Sequence, residues 1–452
     1  MADRFKTVDR DTQYLFPPSV QDWLPKNHLA RFVVELVDEI DLEKLNASYR
    51  ACGSLAFHPS MMVALLFYGY ATGIFSSRKL ERATHDSVAF RYIAANTYPD
   101  HDTIASFRRR FMKELQPIFS QILEVAHTMG VLKLGTVSLD GTKVKANANK
   151  HKALSYGYAE RLEAQLKEEV AKLMELAESA DQNEKPDGMD IPSELERRET
   201  RLDAIAKAKE EIKKRSKERH DREQGKYESK CAKRQAKADE TGKKPRGPAP
   251  KPPESGPKNR DQVNLTDEDS RIMPGSGKSF NQSYNAQAVV DVETMLVVAN
   301  TVSQNANDKK ELEPILECLE NLPDSLGNAQ KLLADAGYFS ETNVAACERK
   351  HITPYIASGR ESHNKTLEER FEQEPPAPDT AGSVAKMKYR LKTREGKALY
   401  AKRKSTVEPV FGIIKQVMGF RQFLLRGLTA VEDEWNLVCM AWNIRRLHAL
   451  KA

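Results

Sequence analysis

Two strand-like runs joined by a short turn constrain this chain more than any other feature. Ser283-Tyr-Asn-Ala-Gln-Ala-Val-Val-Asp291 and Met295-Leu-Val-Val-Ala-Asn-Thr-Val302 read as strands, and Glu293-Thr294 lies at the turn between them. Such a pair predicts a β-hairpin, and an isolated hairpin is at best marginally stable in water. A larger sheet must therefore exist, and an all-helical fold is excluded.

Neighbouring stretches supply the rest of that sheet. Gly135 to Asp140 is a β-branched run ending in Asp140-Gly141, which predicts a strand, a tight turn and a second strand. After the hairpin a helix is expected from Asn307-Asp308 through Leu312, Ile315, Leu316 and Leu319, with Asp308 as a helix cap and Asp291 as a turn residue. Gln330 to Asp335 reads as a short buried strand that ends in an Asp. Residues 360 to 385 read as a loop, and a helix is expected over Ser405 to Val417, with Glu408 in its first turn. Strands before and after a helix predict an α/β fold, a mixed sheet covered by helices.

Two other segments lie around this sheet. Upstream of residue 135 the spacing of Leu29, Phe32, Val33, Leu36 and Ile40, and the run Met61 to Tyr70, predict helices. His58-Pro59-Ser60 opens one of them, Gly73 to Ser77 makes a turn, and Asp102 or Thr103 caps a basic helix carrying Arg108, Arg109, Arg110 and Lys113. This pattern fits a helix-turn-helix module and, equally, a plain bundle with a solvated Arg face. Between Tyr156 and Glu240 the chain is highly charged, with one stripe of Leu162, Leu166, Val170, Leu173 and Leu176 and a weaker one of Leu195, Leu202, Ile205 and Ile212. Pro186 and Gly188 interrupt it. Two long antiparallel helices are expected here, followed by a flexible Pro-, Gly- and Lys-rich linker over residues 241 to 260.

Composition narrows the class. Of 452 residues, 40% are hydrophobic, enough for a sizeable core, and 30% are charged with a net of +6, which permits a polyanionic partner. The five cysteines are scattered without zinc-site or disulfide spacing. The first ten residues lack the apolar run of a signal peptide, and a cytoplasmic protein is expected.

Three acidic residues carry the chemistry. Asp140 and Asp335 end strands, and Glu408 lies on a helix; strand ends in an α/β sheet open onto one crevice, so residues 195 positions apart can converge. Clustered carboxylates suit hard divalent cations, and two such ions can serve phosphoryl transfer.

The stretches around these residues resemble the DDE transposases of bacterial insertion sequences, most closely the group named after insertion sequence 1182. The resemblance is carried by His58 to Arg78, Asn264-Leu-Thr-Asp267, Tyr284-Asn-Ala-Gln287, Asp335-Ala-Gly-Tyr338 and Thr406-Val-Glu-Pro-Val-Phe-Gly-Ile-Ile-Lys415. It implies a ribonuclease-H-like catalytic domain in which Asp140, Asp335 and Glu408 bind two Mg2+ or Mn2+ ions. It also implies double-stranded DNA as partner, both terminal inverted repeats and target, with a homodimer when engaged and a nucleoid-associated location. Six residues separate Glu408 from Lys415, as the Tyr-Arg-Glu-Lys signature of related transposases asks, which puts Lys415 beside Glu408 and against a DNA phosphate. Tyr400 and Arg403 match the upstream half with one residue too many before Glu408, and Lys404 occupies the expected place of the Arg. Arg108, Arg109 and Lys143 are further DNA-binding candidates, with Lys145, Arg421 and Arg426 behind them. The implied organisation is a helical DNA-binding domain over residues 1–134, a catalytic domain over 135–155 and 261–452, and a coiled-coil hairpin over 156–240 ahead of the linker. A metal nuclease that cuts without joining and a non-catalytic DNA-binding protein are the alternatives.

Overall fold

A computed structural model of the chain describes residues 19–49, 56–180, 191–242, 247–275, 279–359 and 382–451. Its contacts divide into two units, Met1–Val144 with Asn285–Ala452, and Lys145–Tyr284. In the first unit the helical spacing of the N-terminal region is realised as α1 (Val20–Trp23), α2 (Leu29–Asp38), α3 (Glu43–Ala47), α4 (Pro59–Ala71), α5 (Ser77–Asp86), α6 (Val88–Ile93), α7 (His101–Phe111) and α8 (Gln116–Thr128). His58 caps α4 through its ring nitrogen, and Pro59 occupies the first turn, where a missing N–H costs nothing. Gly73 ends α4 with φ +82°, and Ile74 N–H bonds back to Gly69 C=O, a Schellman-type stop that a side chain at Gly73 would strain. Asp100, rather than Asp102 or Thr103, caps α7 by accepting from Thr103 N–H at 2.7 Å.

β1 runs without a break over Thr136–Lys145. The turn expected at Asp140-Gly141 is absent, and Asp140 stands in mid-strand. Glycine is needed there for closeness rather than for bending, because a Cβ on Gly141 would lie 2.3 Å from Gln287 Nε2 and 3.0 Å from Asp308 Oδ1.

The second unit contains β2 (Ala153–Ser155), the helices α9 (Tyr156–Ala180) and α10 (Ile191–Thr241), β3 (Gln262–Asn264) and β4 (Arg271–Pro274). Leu162 and Leu166 of α9 pack with Ile205, Ala208 and Ile212 of α10, while Val170 is half-buried and Leu176 exposed. Pairs Lys209–Glu163 and Arg198–Glu169 match falling numbers to rising ones, so the helices are antiparallel. The Pro-Gly interruption expected between them lies outside the described residues. The Pro-rich stretch after α10 is extended but tied down. Arg234 donates to Gly247 C=O at 2.7 Å and Pro248 C=O at 3.0 Å, and Arg219 donates to Gly256 C=O at 3.2 Å and Asp261 at 2.8 Å. Fifteen helical residues from Arg219 to Arg234 span about 22 Å, and eight residues of polyproline-like chain span about 25 Å, so the segment lies back along α10 as a strap. Asn264-Leu-Thr-Asp267 is a local lock: Asn264 Oδ1 accepts from Thr266 N–H at 2.9 Å, and Asp267 accepts from Tyr284 Oη at 2.8 Å.

The chain returns through β5 (Phe280–Asp291) and β6 (Val297–Ser303), the expected hairpin, antiparallel with a register shift at Val289/Val290. Asp291 makes the turn by accepting from Thr294 N–H and Oγ1 at 2.8 and 2.7 Å. α11 (Leu312–Glu320), β7 (Lys331–Ala334), α12 (Glu341–Arg349), β8 (Thr353–Ile356), α13 (Ser383–Lys392), α14 (Arg394–Gly412) and α15 (Leu428–Lys451) follow. The six-stranded sheet has the order β4-β5-β1-β7-β8, with β6 also pairing β5, and β1, β7 and β8 are parallel, so the sheet is mixed as expected. The predicted loop at 360–385 falls outside the described residues except at its end, where α13 begins.

α14 corrects two expectations. It starts at Thr393, which caps Gly396 N–H, so Glu408 lies deep in the helix and not in its first turn. Pro409 follows, and Ile413–Val417 winds as a π-helix rather than an α-helix. The wider turn shifts the register that would have put Lys415 on the face of Glu408. α15 is buried nearly all round, with Trp435 and Trp442 turned inward and their indole N–H groups each donating at 2.9 Å, to Gln287 C=O and Met295 C=O.

Candidate active site

Three elements of the first unit meet at Asp140. β1 carries it in the middle of the sheet, β7 ends immediately before Asp335, and α14 is anchored by the buried side chains of Thr406, Val407, Val410 and Phe411, which leaves Glu408 facing outward. Arg403 lies among the acidic groups. Its side chain is 11% exposed and reaches Asp140 Oδ2 at 3.4 Å and Glu408 Oε1 at 2.8 Å. Burial alone would lower the pKa of Arg403, but Tyr400, Asp140, Glu408 and Asp335 raise it. Burial pushes the Asp140 carboxyl up to about 6; Gly141 N–H and Arg403 oppose this, while the charges of Asp335 and Glu408 reinforce it. The three carboxylates thus sense one another across 195 and 268 positions of sequence.

The turn after β7 is built around its own Asp. Asp335 Oδ1 accepts from Gly337 N–H at 2.8 Å and caps a single 3-10 turn, Ala336–Tyr338. Tyr338 is fully buried and packs beneath this turn, with its hydroxyl donating to Gln287 Oε1.

The expected cations divide into two groups. Arg403, Lys143 and Lys415 are drawn into the site, whereas Lys404 and Arg109 are exposed and Tyr400 is half-buried. Lys143 Nζ donates to Asp308 at 3.2 Å. Lys415 does not stand beside Glu408; its ammonium donates to Thr142 Oγ1 and, at 3.0 Å, to Lys143 C=O, just past Asp140 on β1. Burial lowers its pKa, and the charge of Asp140 counters this. Arg108 departs furthest from the sequence expectation. It is only 9% exposed, donates to Tyr70 Oη at 3.3 Å and Phe75 C=O at 3.0 Å, and serves the core instead of a DNA-facing surface.

Asp308 was expected as a cap, yet Asn307 performs that task by accepting from Lys309 N–H at 3.0 Å. The Asp308 carboxylate turns inward to Lys143, Asn285 and Gln287. Asn285 and Gln287 lie two positions apart on one buried face of β5 and require polar partners, but the strand carries other polar residues and nothing in it singles out Asp308.

As a cation site the donor set is chemically suitable. Three hard-oxygen carboxylates face one guanidinium, and the Asp140 carboxyl is raised chiefly by burial, with the charges of Asp335 and Glu408 adding to it. Among the described residues, however, no group of three or more His, Cys, Asp or Glu side chains is arranged to hold a metal, and Arg403 reaches both Asp140 and Glu408. No described helix is long and apolar enough to cross a membrane.

Comparison with known families bears on both halves of the chain. Residues 18–110 match the family model described as Transposase domain (DUF772), and residues 248–444 match that described as Transposase DDE domain. The second match takes in Asp335 and Glu408 and begins after Asp140. No curated protein and no solved structure matches the chain. The two family matches together support a DDE transposase of an insertion sequence.

Proposed function

We propose that this chain is a transposase of the insertion-sequence-1182 group that binds the terminal inverted repeats of its element, cuts the DNA there and joins the freed end to a target. The observation that carries the reading is the gathering of Asp140, Glu408 and Asp335 around the single guanidinium of Arg403. The strand order, with its central β1 and a helix bearing the third acidic residue, supports a ribonuclease-H-like catalytic domain.

In the first step a water oxygen attacks a backbone phosphorus, a phosphorus–oxygen bond breaks, and a 3′-hydroxyl is freed. In the second that hydroxyl attacks a phosphorus of target DNA, so one phosphodiester replaces another and no external energy source is needed. Asp140, Asp335 and Glu408 would hold two Mg2+ or Mn2+ ions, which supply Lewis-acid activation of the attacking oxygen and stabilisation of the leaving one. Arg403 screens the carboxylates from one another and must yield its position as cations and DNA enter. Lys415, fastened to the backbone of β1, keeps positive charge next to Asp140, where a phosphate has to lie. Lys404 and Arg109, both exposed, would meet DNA backbone, and pairing two element ends would call for a homodimer during the reaction.

The test is strand cleavage and joining on DNA carrying the flanking repeats, with Mg2+, Mn2+ or chelator. Asp140→Asn, Asp335→Asn and Glu408→Gln are each expected to lower cleavage at least 1000-fold, about 4 kcal/mol of transition-state stabilisation, while specific DNA binding stays within about threefold. Cleavage retained in all three variants rejects the assignment, and cutting of DNA without joining of pre-cut ends would make the protein a nuclease.

A further inference from the structure

Outside the three carboxylates, one polar network of the first unit has no part in the reading above. Asp308 Oδ1 accepts three hydrogen bonds, from Asn285 Nδ2 at 2.7 Å, Gln287 Nε2 at 3.1 Å and Lys143 Nζ at 3.2 Å. Asn285 and Gln287 are fully buried, and the Asp308 side chain is 25% exposed. A carboxylate only accepts, and the Tyr338 hydroxyl donates to the other end of Gln287, so the Gln287 amide can lie in one sense only. The result is a directed relay, Tyr338 to Gln287 to Asp308. Asn343 closes it from the far side by donating to Tyr338 C=O at 2.7 Å and to Lys309 C=O at 2.9 Å.

The placement of this relay relative to the carboxylates gives it a consequence. Its members approach the residue after Asp140 and the turn that Asp335 caps. Gly141, next to Asp140, approaches Gln287 and Asp308 so closely that a Cβ would collide with them. A Cβ on Gly337, in the turn that Asp335 caps, would lie 2.9 Å from Asp335 Oδ1 and 3.5 Å from Asp308 Oδ2. The β1–β7 ladder, with Leu139 opposite Ala334, brings Asp140 and Asp335 side by side, and Asp308 and Gln287 pack against Gly141 and the turn that Asp335 caps.

We propose that Asp308 is a positioning residue of the site: through Gln287 and Tyr338 it fixes the backbone beside Asp140 and the turn that Asp335 caps, and so the way the two carboxylates can be presented to a divalent cation. The proposal rests on the reading that those two aspartates share cations. Outer hydrogen-bond partners of metal ligands commonly change affinity by about 10- to 100-fold when removed.

The test is Mn2+ binding to the full chain by calorimetry, without DNA and without turnover. Asp308→Asn and Gln287→Ala are each expected to raise the Kd for Mn2+ about 10- to 100-fold, with cooperative unfolding kept, and the double variant is expected to be no weaker than the worse single one, since both break one relay. A merely structural Asp308 would lower the melting temperature and leave the Kd alone. A Kd for Asp308→Asn within twofold of the parent overturns the proposal, as do effects that multiply in the double variant. Should Asp308→Asn fail to fold, Tyr338→Phe removes a single oxygen at the far end: a severalfold rise in Kd supports the relay, and no rise overturns it. A folded parent that takes up no Mn2+ would instead sink the cation reading of the carboxylates, and this proposal with it.

Discussion

Asp140 illustrates how a functional group is held at the expense of stability. Its carboxyl sits at about 6 in the folded chain against the ordinary 3.8 of a free Asp, chiefly because it is buried. The folded state therefore binds the proton more tightly than the unfolded state does. This contribution is most favourable below pH 3.8, falls as pH rises to about 6, and leaves the ionised group a liability of on the order of 3 kcal/mol above that. In cation-free buffer Asp140→Asn is expected to be more stable than the parent at pH 8 by about 1–3 kcal/mol, with the difference closing toward pH 4. Urea unfolding at pH 4, 6 and 8 measures this, and a parent more stable than the variant at pH 8 contradicts it. At the same position the sequence is misleading. Asp-Gly is ordinary turn chemistry, but here the glycine is present because Gln287 lies where a side chain would go, a contact between residues 146 apart.

Among the elements, α15 and the strap show local patterns completed by distant partners. β6 is the edge of the sheet, and Asn443 of α15 serves it as a substitute strand: its Oδ1 accepts from Val297 N–H and its Nδ2 donates to Val297 C=O, both at 2.7 Å. Asn300 to Asn436, at 3.0 Å, adds a second tie. Asn443→Leu keeps the volume but orphans both main-chain groups in a dry interface, and is expected to cost about 2–4 kcal/mol, read by denaturant unfolding. A loss under 0.5 kcal/mol would mean that water replaces the amide. In the second unit Arg219 holds the end of the Pro-rich strap through Gly256 C=O and Asp261. Arg219→Ala is expected to increase tryptic cleavage after Lys258 severalfold while the helical circular dichroism is unchanged; equal cleavage rates would show that the strap holds by itself.

For the whole molecule, the N-terminal helices and the sheet share one core. Glu434 of α15, fully buried, accepts from Tyr70 Oη of α4 at 3.1 Å and from Leu424 and Leu425 N–H at 2.9 and 3.0 Å, and Arg108 of α7 donates to the same Tyr70. Removing α4 and α7 would take the Tyr70 hydroxyl from Glu434 and uncover much of apolar α15. A chain starting at residue 135 is therefore expected to lose cooperative thermal unfolding, and a sharp calorimetric transition in that fragment would show that the sheet folds without the helices.

Taken across these scales, the sequence by itself determined the elements whose signal is local. The 283–302 hairpin, the N-terminal helices, the buried strand before Asp335 and the two helices of the second unit follow from periodicity, because side-chain burial repeats with the backbone's own period. Tertiary structure alone decided which polar groups face one another. Arg403 lies against Asp140 while Lys404 points to solvent, Asp308 turns inward instead of capping, and Lys415 bonds to β1 after a π-helical turn. Each of these depends on strands and helices far apart in the chain being brought within about 3 Å, and hydrogen bonding at that range leaves no periodic trace in the sequence.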